Sequence, residues 1–288
     1  MRTFIAAISL LLFIGVSAEC QINYGSNSKV GKFIAVNDIK VYYEVYGQGE
    51  PLLLLHGNSG SIWTMASLIP DLAKHFKVIA VDSRAQGKST DSDREITYAL
   101  MASDMSELID KLKLGSVHVV GWSDGGNIGL ELALAHPEKV RKLVTFGANY
   151  TNENIFAPPD SVPMDPKDPR LLNTLEGMKQ YKKGLEKLTP LVRKKLADLI
   201  EKHPKITKEQ LKQIGVPTLI VAGDHDIINI EQTLAMFTNL PHVQLFIVPG
   251  ASHLAPIEHP ALLNGEVIRF LTTPYRDIGA YYWLKFIQ

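Results

Sequence analysis

The sequence predicts a doubly wound α/β fold, and two observations carry that prediction. Short apolar runs rich in β-branched residues recur along the chain, and patterns with helical spacing lie between them. Runs that are apolar throughout suit strands buried on both faces of a parallel sheet, and their alternation with helices argues for a mostly parallel sheet covered on two sides.

The first residues, "MRTFIAAISLLLFIGVSAEC", carry one positive charge at Arg2, an apolar stretch from Phe4 to Val16 and then small residues. This reads as a secretory signal peptide over residues 1–20, cut after Ala18 or Cys20. The apolar stretch is shorter than the roughly 20 residues a membrane helix needs. The expectation is an exported protein, periplasmic or extracellular, with no stable membrane span after cleavage. Glu19 does not suit the small residue normally found before a lipid-modified cysteine, so no lipid anchor is expected at Cys20. Cys20 is the only cysteine, which removes disulfides and thiolate metal sites from the exported fold.

After a polar stretch, "KFIAV" and "KVYYEVYG" are β-type runs joined at Asn37-Asp38, the composition of a hairpin turn. Six apolar runs follow: "PLLLLHG", "KVIAVD", "VHVVG", "KLVTFG", "PTLIVAGD" and "VQLFIVPG". Helical patterns span Ile62 to Phe76, Ile96 to Leu112, Asp124 to His136, Ile230 to Phe237 and Pro260 to Phe270. The alternation breaks between about Tyr150 and Gly215. That stretch begins with the Pro- and Asp-rich "APPDSVPMDPKDP" and continues with Lys-rich amphipathic segments. It reads as a helical cap, residues 150–215, inserted into a core made of residues 21–149 and 216–288. The lysines suit a solvated helix face better than a binding patch. The aromatic tail "YRDIGAYYWLKFIQ" is expected to pack against the core.

Lysine plus arginine and aspartate plus glutamate stand at 30 each, so no overall field draws the chain to nucleic acid, and no basic stripe stands out. A neutral or weakly charged small molecule is the expected partner; oligomeric state is not legible. The hydrophobic content of 45% is ample for a buried core.

The chemistry is concentrated in "HVVGWSDGGNIGLELALAHP", residues 118–137. Gly121-x-Ser123-x-Gly125 follows an apolar strand and opens a helical pattern, the setting of a nucleophile elbow. A side chain at Gly121 or Gly125 would collide across so tight a bend. The pattern alone arises by chance about once in ten chains of this length; its setting between strand and helix is what gives it weight. A serine hydroxyl needs a base, and the base needs a group that holds its tautomer. "VAGDHD" follows one strand and "PGASHLAP" the next, and they supply acid and base. Asp226 is favoured as the acid because it lies beyond the strand end, where a loop can turn it towards His253; Asp224 is the competing acid. His56 suits a role bracing the loop after its strand. His225, His242 and His259 suit loops or surface, and His75, His118, His136 and His203 lack metal-ligand spacing, so neither zinc nor any other cofactor is expected. The backbone N–H of Asp124, at a helix start, is one candidate oxyanion donor, and that of Asn58 is the second.

Together "PLLLLHGNSG", "VIAVDSRAQGKS", "VHVVGWSDGG", "PTLIVAGDHD" and "PGASHLAP" resemble the α/β-hydrolase fold family, in order and spacing, over nearly all of the chain after residue 20. The resemblance implies the Ser123, Asp226, His253 triad and both oxyanion donors. Two departures stand out. Arg84-Ala85 replaces the Arg-Gly of many members, and the "HGN" loop recurs in relatives that cleave carbon-halogen bonds with an aspartate nucleophile, which Ser123 argues against. "GWSDGG" is similar to the elbow of valacyclovir-hydrolase-like esterases, which would make the Asp124 carboxylate a substrate-binding group for cationic amino esters. The simpler alternative is that Asp124 favours the helix N-terminus. The expected activity is therefore hydrolysis of a small carboxylic ester or related acyl compound through an acyl-enzyme. Lactone opening, carbon-carbon bond hydrolysis, perhydrolysis and a non-catalytic binding role stay open, since fold and triad do not fix the substrate.

Overall fold

The computed structural model describes residues 22–156, 169–279 and 282–286 of the 288-residue chain. The expected signal peptide, Cys20 included, and most of the Pro- and Asp-rich loop lie outside the described residues.

Eight strands form one sheet: β1 (Gly31–Val36), β2 (Ile39–Tyr46), β3 (Glu50–Leu55), β4 (Phe76–Val81), β5 (Val117–Trp122), β6 (Val140–Phe146), β7 (Thr218–His225) and β8 (Val243–Ser252). They are ordered β1-β2-β4-β3-β5-β6-β7-β8. The β1-β2 and β2-β4 pairs are antiparallel and the rest are parallel. Val36 pairs with Ile39, so Asn37 and Asp38 make a two-residue hairpin turn, with Asn37 in the left-handed region at φ 44°.

The helices are α1 (Ile69–Leu72), α2 (Tyr98–Lys111), α3 (Asp124–Ala135), α4 (Pro169–Lys187), α5 (Pro190–Lys202), α6 (Lys208–Leu211), α7 (Ile230–Asn239), α8 (Ala255–Glu258) and α9 (Pro260–Thr272). Leu52, Leu53, Leu54 and Leu55 of β3 have no exposed surface, as a strand covered on both faces requires. Leu53 and Leu55 join a core with Met101, Met105 and Ile128 from α2 and α3, while Leu52 and Leu54 join a second core with Ile69, Val267 and Phe270 from α1 and α9. The cap region supplies α4, α5 and α6 between β6 and β7, and Leu196 and Leu199 anchor α5 in the first core. Three of its lysines meet acids: Lys194 contacts Asp198, Lys195 contacts Asp91 and Lys202 contacts Glu95.

Two expectations need correction. The pattern from Ile62 to Phe76 is not one helix but a 3-10 turn over Ile62–Met65, the single turn α1, and the start of β4. Pro70 has no N–H to give to the carbonyl of Ala66, so the first turn ends and a new one begins around it. The tail does not pack as expected over Tyr282–Phe286, where Trp283 is 51% and Phe286 81% exposed. By that point α9 already covers the adjoining core; among the described tail residues Tyr275 reaches it, edge-on to His242 with ring centroids 5.7 Å apart.

The Arg84-Ala85 departure has structural content. Arg84 and Asp104 form a pair with both side chains fully buried, closed by Arg84 Nη2 to Asp104 Oδ1 at 2.7 Å and Nε to Oδ2 at 2.8 Å. Ala85 then sits at φ 64°, in the left-handed region that glycine would occupy at little cost.

Candidate active site

Strand order locates the site before any side chain is considered. From β3 the chain passes to β4 on one side and returns to β5 on the other, so the order reverses at β3. Ligands of open α/β sheets bind beyond the carboxyl ends of the strands at such a switch point. The loops that leave β3 and β5 there contain Gly57-Asn58 and Ser123-Asp124.

Ser123 stands between β5 and α3 at φ 54° and ψ −119°, a strained elbow. Backbone bonds hold it there: its N–H donates to Phe146 O at 2.7 Å, and its carbonyl accepts from Gly126 N–H at 2.8 Å and Asn127 N–H at 3.1 Å. The hydroxyl takes no part in capping α3. A Cβ at Gly121 would come within 2.2 Å of the Gly125 backbone, so the bend admits only glycine there. A Cβ at Gly57 would lie 3.2 Å from Ser123 Cβ, which places the β3 loop directly against the serine.

The structure brings Asp226 and His253 together. His253 Nδ1 lies 2.7 Å from Asp226 Oδ1, and the same oxygen accepts from Ile228 N–H at 2.9 Å. This arrangement puts the ring hydrogen on Nδ1 and leaves Nε2 with a free lone pair. Asp224, the competing acid, faces away: its Oδ1 accepts from Ala251 N–H at 3.2 Å, and backbone bonds hold its carboxyl below the usual range. The Asn58 and Asp124 N–H groups donate to no backbone carbonyl among the described residues.

Asp124 is 4% exposed. Its Oδ1 accepts from the Tyr98 hydroxyl at 2.7 Å and its Oδ2 from Asn58 Nδ2 at 2.9 Å. Burial pushes its carboxyl up, while the bonds from Tyr98 and Asn58 oppose that rise. His56 is held neutral: burial lowers it to about 4, Nδ1 donates to Gly57 O at 2.7 Å and Nε2 accepts from Ser83 N–H at 3.0 Å.

Three supports escaped the sequence reading. Trp122 Nε1 donates to the His253 carbonyl at 3.0 Å, tying the base loop to the elbow strand. Gly147, at φ 55°, leaves the space in which a Cβ would come within 2.6 Å of His253 Nδ1 and 2.9 Å of Asp226 Oδ2. Glu258 accepts from Ser252 N–H and Ser252 Oγ, both at 2.8 Å, and fixes the residue before His253. The glycine closing "KLVTFG" and the tryptophan in "GWSDGG" were the visible signals.

Ser123, Asp124, Asn58 and His253 line one cavity of about 530 Å³, whose wall also holds apolar side chains such as Trp122, Ile155, Met178, Ile228 and Ile257 and the polar Tyr98, Asn149, Tyr181 and His203. Among the described residues no lysine or arginine lines it, and none form a cluster able to hold a metal.

A family model described as the alpha/beta hydrolase fold matches residues 50–190. The 2-hydroxy-6-oxo-6-(2'-aminophenyl)hexa-2,4-dienoic acid hydrolase of Metapseudomonas resinovorans is 25% identical over 88% of this chain and 94% of its own length. The 2-hydroxy-6-oxononadienedioate/2-hydroxy-6-oxononatrienedioate hydrolase 2 of Pseudomonas putida is 28% identical over 81% of this chain and 92% of its own. The crystal structure of carboxylesterase CesB from Bacillus subtilis superposes with a TM-score of 0.65 at 26% identity, covering 84% of this chain and 91% of that one. The chain belongs to the α/β-hydrolase family. As an α/β-hydrolase it has the mostly parallel eight-stranded sheet of that fold, with an N-terminal antiparallel hairpin and helical insertions. No helix among the described residues of this hydrolase is long and apolar enough to cross a membrane.

Proposed function

We propose that this hydrolase cleaves small carboxylic esters through an acyl-enzyme. The observation that carries the reading is the 2.7 Å bond from Asp226 to His253, which lines the same cavity as the strained Ser123. Ser123 Oγ attacks the ester carbonyl while His253 Nε2 takes its proton, and the developing oxyanion is met by the N–H groups of Asn58 and Asp124. His253 then gives the proton to the leaving alcohol. In the second half it removes a proton from water, which attacks the acyl-enzyme and releases the acid. Asp226 orients the ring and stabilises its charged form.

The cavity favours esters over the substrates named for the two enzymes above, which are carboxylic acids. A carboxylate entering it would meet the buried Asp124 and no lysine or arginine among the described lining residues. Ser123→Ala is expected to abolish turnover of a short-chain aryl ester with an unchanged circular dichroism spectrum. Full turnover in that variant would refute the mechanism.

The buried Asp124 carboxylate also favours a narrower reading, preference for a cationic amino ester. A carboxylate holding two donors retains acceptor sites for a third. Asp124→Asn should erase a preference for an amino ester over its des-amino partner; an unaltered ratio would refute it. The amino-terminal segment, as an export signal, would place the reaction outside the cytoplasm, and the N-terminal sequence of the secreted protein tests that.

A further inference from the structure

Asn58 is the meeting point of three parts of the molecule. Its side chain Nδ2 donates to Asp124 Oδ2 at 2.9 Å, at the start of α3, and to Leu196 O at 3.2 Å, in α5. Its own carbonyl accepts from the Tyr181 hydroxyl at 3.3 Å, in α4. Its Oδ1 accepts from Ser59 Oγ at 2.7 Å. The Asp124 end of this chain is fixed in turn by Tyr98, which is 2% exposed and donates to Asp124 Oδ1 at 2.7 Å from the first turn of α2.

We infer that Tyr98 and Tyr181 are positioning residues that clamp the two oxyanion donors into register, one through Asp124 and the other through the Asn58 carbonyl. The inference rests on the proposed ester hydrolysis. Asn58 and Asp124 stand 66 residues apart in the chain, on separate loops, and the carboxylate-to-amide bond is what joins them. The Asn58 N–H belongs to the loop whose carbonyl Tyr181 holds, so the rotation of that loop follows α4. The Leu196 bond adds α5. The cap helices therefore set the aim of one donor, and the oxyanion hole is complete only when they are seated. This gives the buried Asp124 carboxylate a mechanical task independent of any substrate amine.

A preorganised donor matters because the charge it meets appears only in the transition state. Deleting one outright costs about a hundred- to a thousandfold. Misaiming one without deleting it should cost less, about tenfold. The test uses full-length enzyme and its Tyr181→Phe, Tyr98→Phe and Asn58→Ala variants, which keep every backbone N–H, with Ser123→Ala as control. Kinetics are measured on a short-chain aryl ester, and inhibition by a trifluoromethyl ketone, which forms an oxyanion on Ser123, and by the matching methyl ketone. Each clamp variant is expected to lose kcat by about tenfold with KM within about twofold, and to lose trifluoromethyl ketone affinity by the same factor with methyl ketone affinity unchanged. Tyr181→Phe, on the cap side, should keep the thermal midpoint of the parent and carries the test if Tyr98→Phe does not fold. Unchanged kcat in Tyr181→Phe, a rise in KM alone, or equal weakening of both ketones overturns the clamp while the mechanism stands. Retained turnover in Ser123→Ala overturns the mechanism itself.

Discussion

Replacing Asp226 by asparagine should separate the two services a carboxylate can give a catalytic histidine. In this site Oδ1 receives both His253 Nδ1 at 2.7 Å and Ile228 N–H at 2.9 Å. Two donors converging on one atom select the asparagine carbonyl for that position and exclude its NH₂. The ring therefore keeps its Nδ1–H tautomer in the variant, and the charge alone is lost. At 2.7 Å and an effective dielectric constant of about 20, that attraction for an imidazolium is about 6 kcal/mol as a ceiling. The two side chains are 15% and 4% exposed, so little water replaces it; after solvent compensation about 3–5 kcal/mol remains, roughly 10²–10⁴ in kcat. Asp224→Asn is the matched control. Its carboxylate is 40% exposed and bonded to Ala251 N–H, which an amide oxygen satisfies as well, so the expected loss is less than about threefold. The assay is steady-state hydrolysis of a short-chain aryl ester at saturation, with circular dichroism confirming the fold. A larger loss in Asp224→Asn, or more than about a tenth of activity surviving in Asp226→Asn, would refute the reasoning.

Two further substitutions probe the scaffold. Arg84→Met leaves the fully buried Asp104 without its cation and should cost about 3–5 kcal/mol in urea unfolding at neutral pH. Burial already raises the Asp104 carboxyl, and removing Arg84 raises it further. The folded variant then holds a proton that the unfolded chain has released, so its stability falls as pH rises above the ordinary carboxylate value, and the deficit should be smaller at pH 5 than at pH 8. A pH-independent deficit contradicts this. Gly121→Ala puts a methyl where the Gly125 backbone stands, a contact no rotamer relieves, so loss of about 3 kcal/mol or failure to fold is expected. A soluble variant with parental stability and activity would show that the elbow is looser than its geometry.

The parallel strands were legible because burial on both faces leaves an unbroken apolar run, as in Leu52 to Leu55. The elbow and the His253 loop were legible because special backbone needs write glycine and proline around them. The segment from Ile62 to Phe76 misled for a related reason: its apolar spacing is helical, and a single Pro70 overrides it. Tyr98 carries no local pattern, and the motifs that contain Trp122 and Gly147 do not say what either residue touches. Trp122 meets a carbonyl 131 residues away, and Tyr98 looks like any aromatic at a helix start until the fold sets its hydroxyl against Asp124. Contacts of this kind depend on the closing of the sheet rather than on neighbours in the chain.

The neutral His56 bears on how the enzyme's acidity profile can be interpreted. The ring bonds to both Gly57 and Ser83 in its uncharged form and gains its proton only near pH 4. Its support for the folded state is full above the ordinary histidine range and declines as pH falls towards 4, because there the unfolded chain takes up the proton first. Within the folded enzyme the loop carrying Gly57 and Asn58 thus keeps both bonds to the uncharged ring until the pH nears 4, even as the margin of the folded state over the unfolded chain narrows. An activity loss centred above about pH 5 therefore reports protonation elsewhere, and a kinetic profile can be assigned to the reacting groups without correction for a collapsing loop.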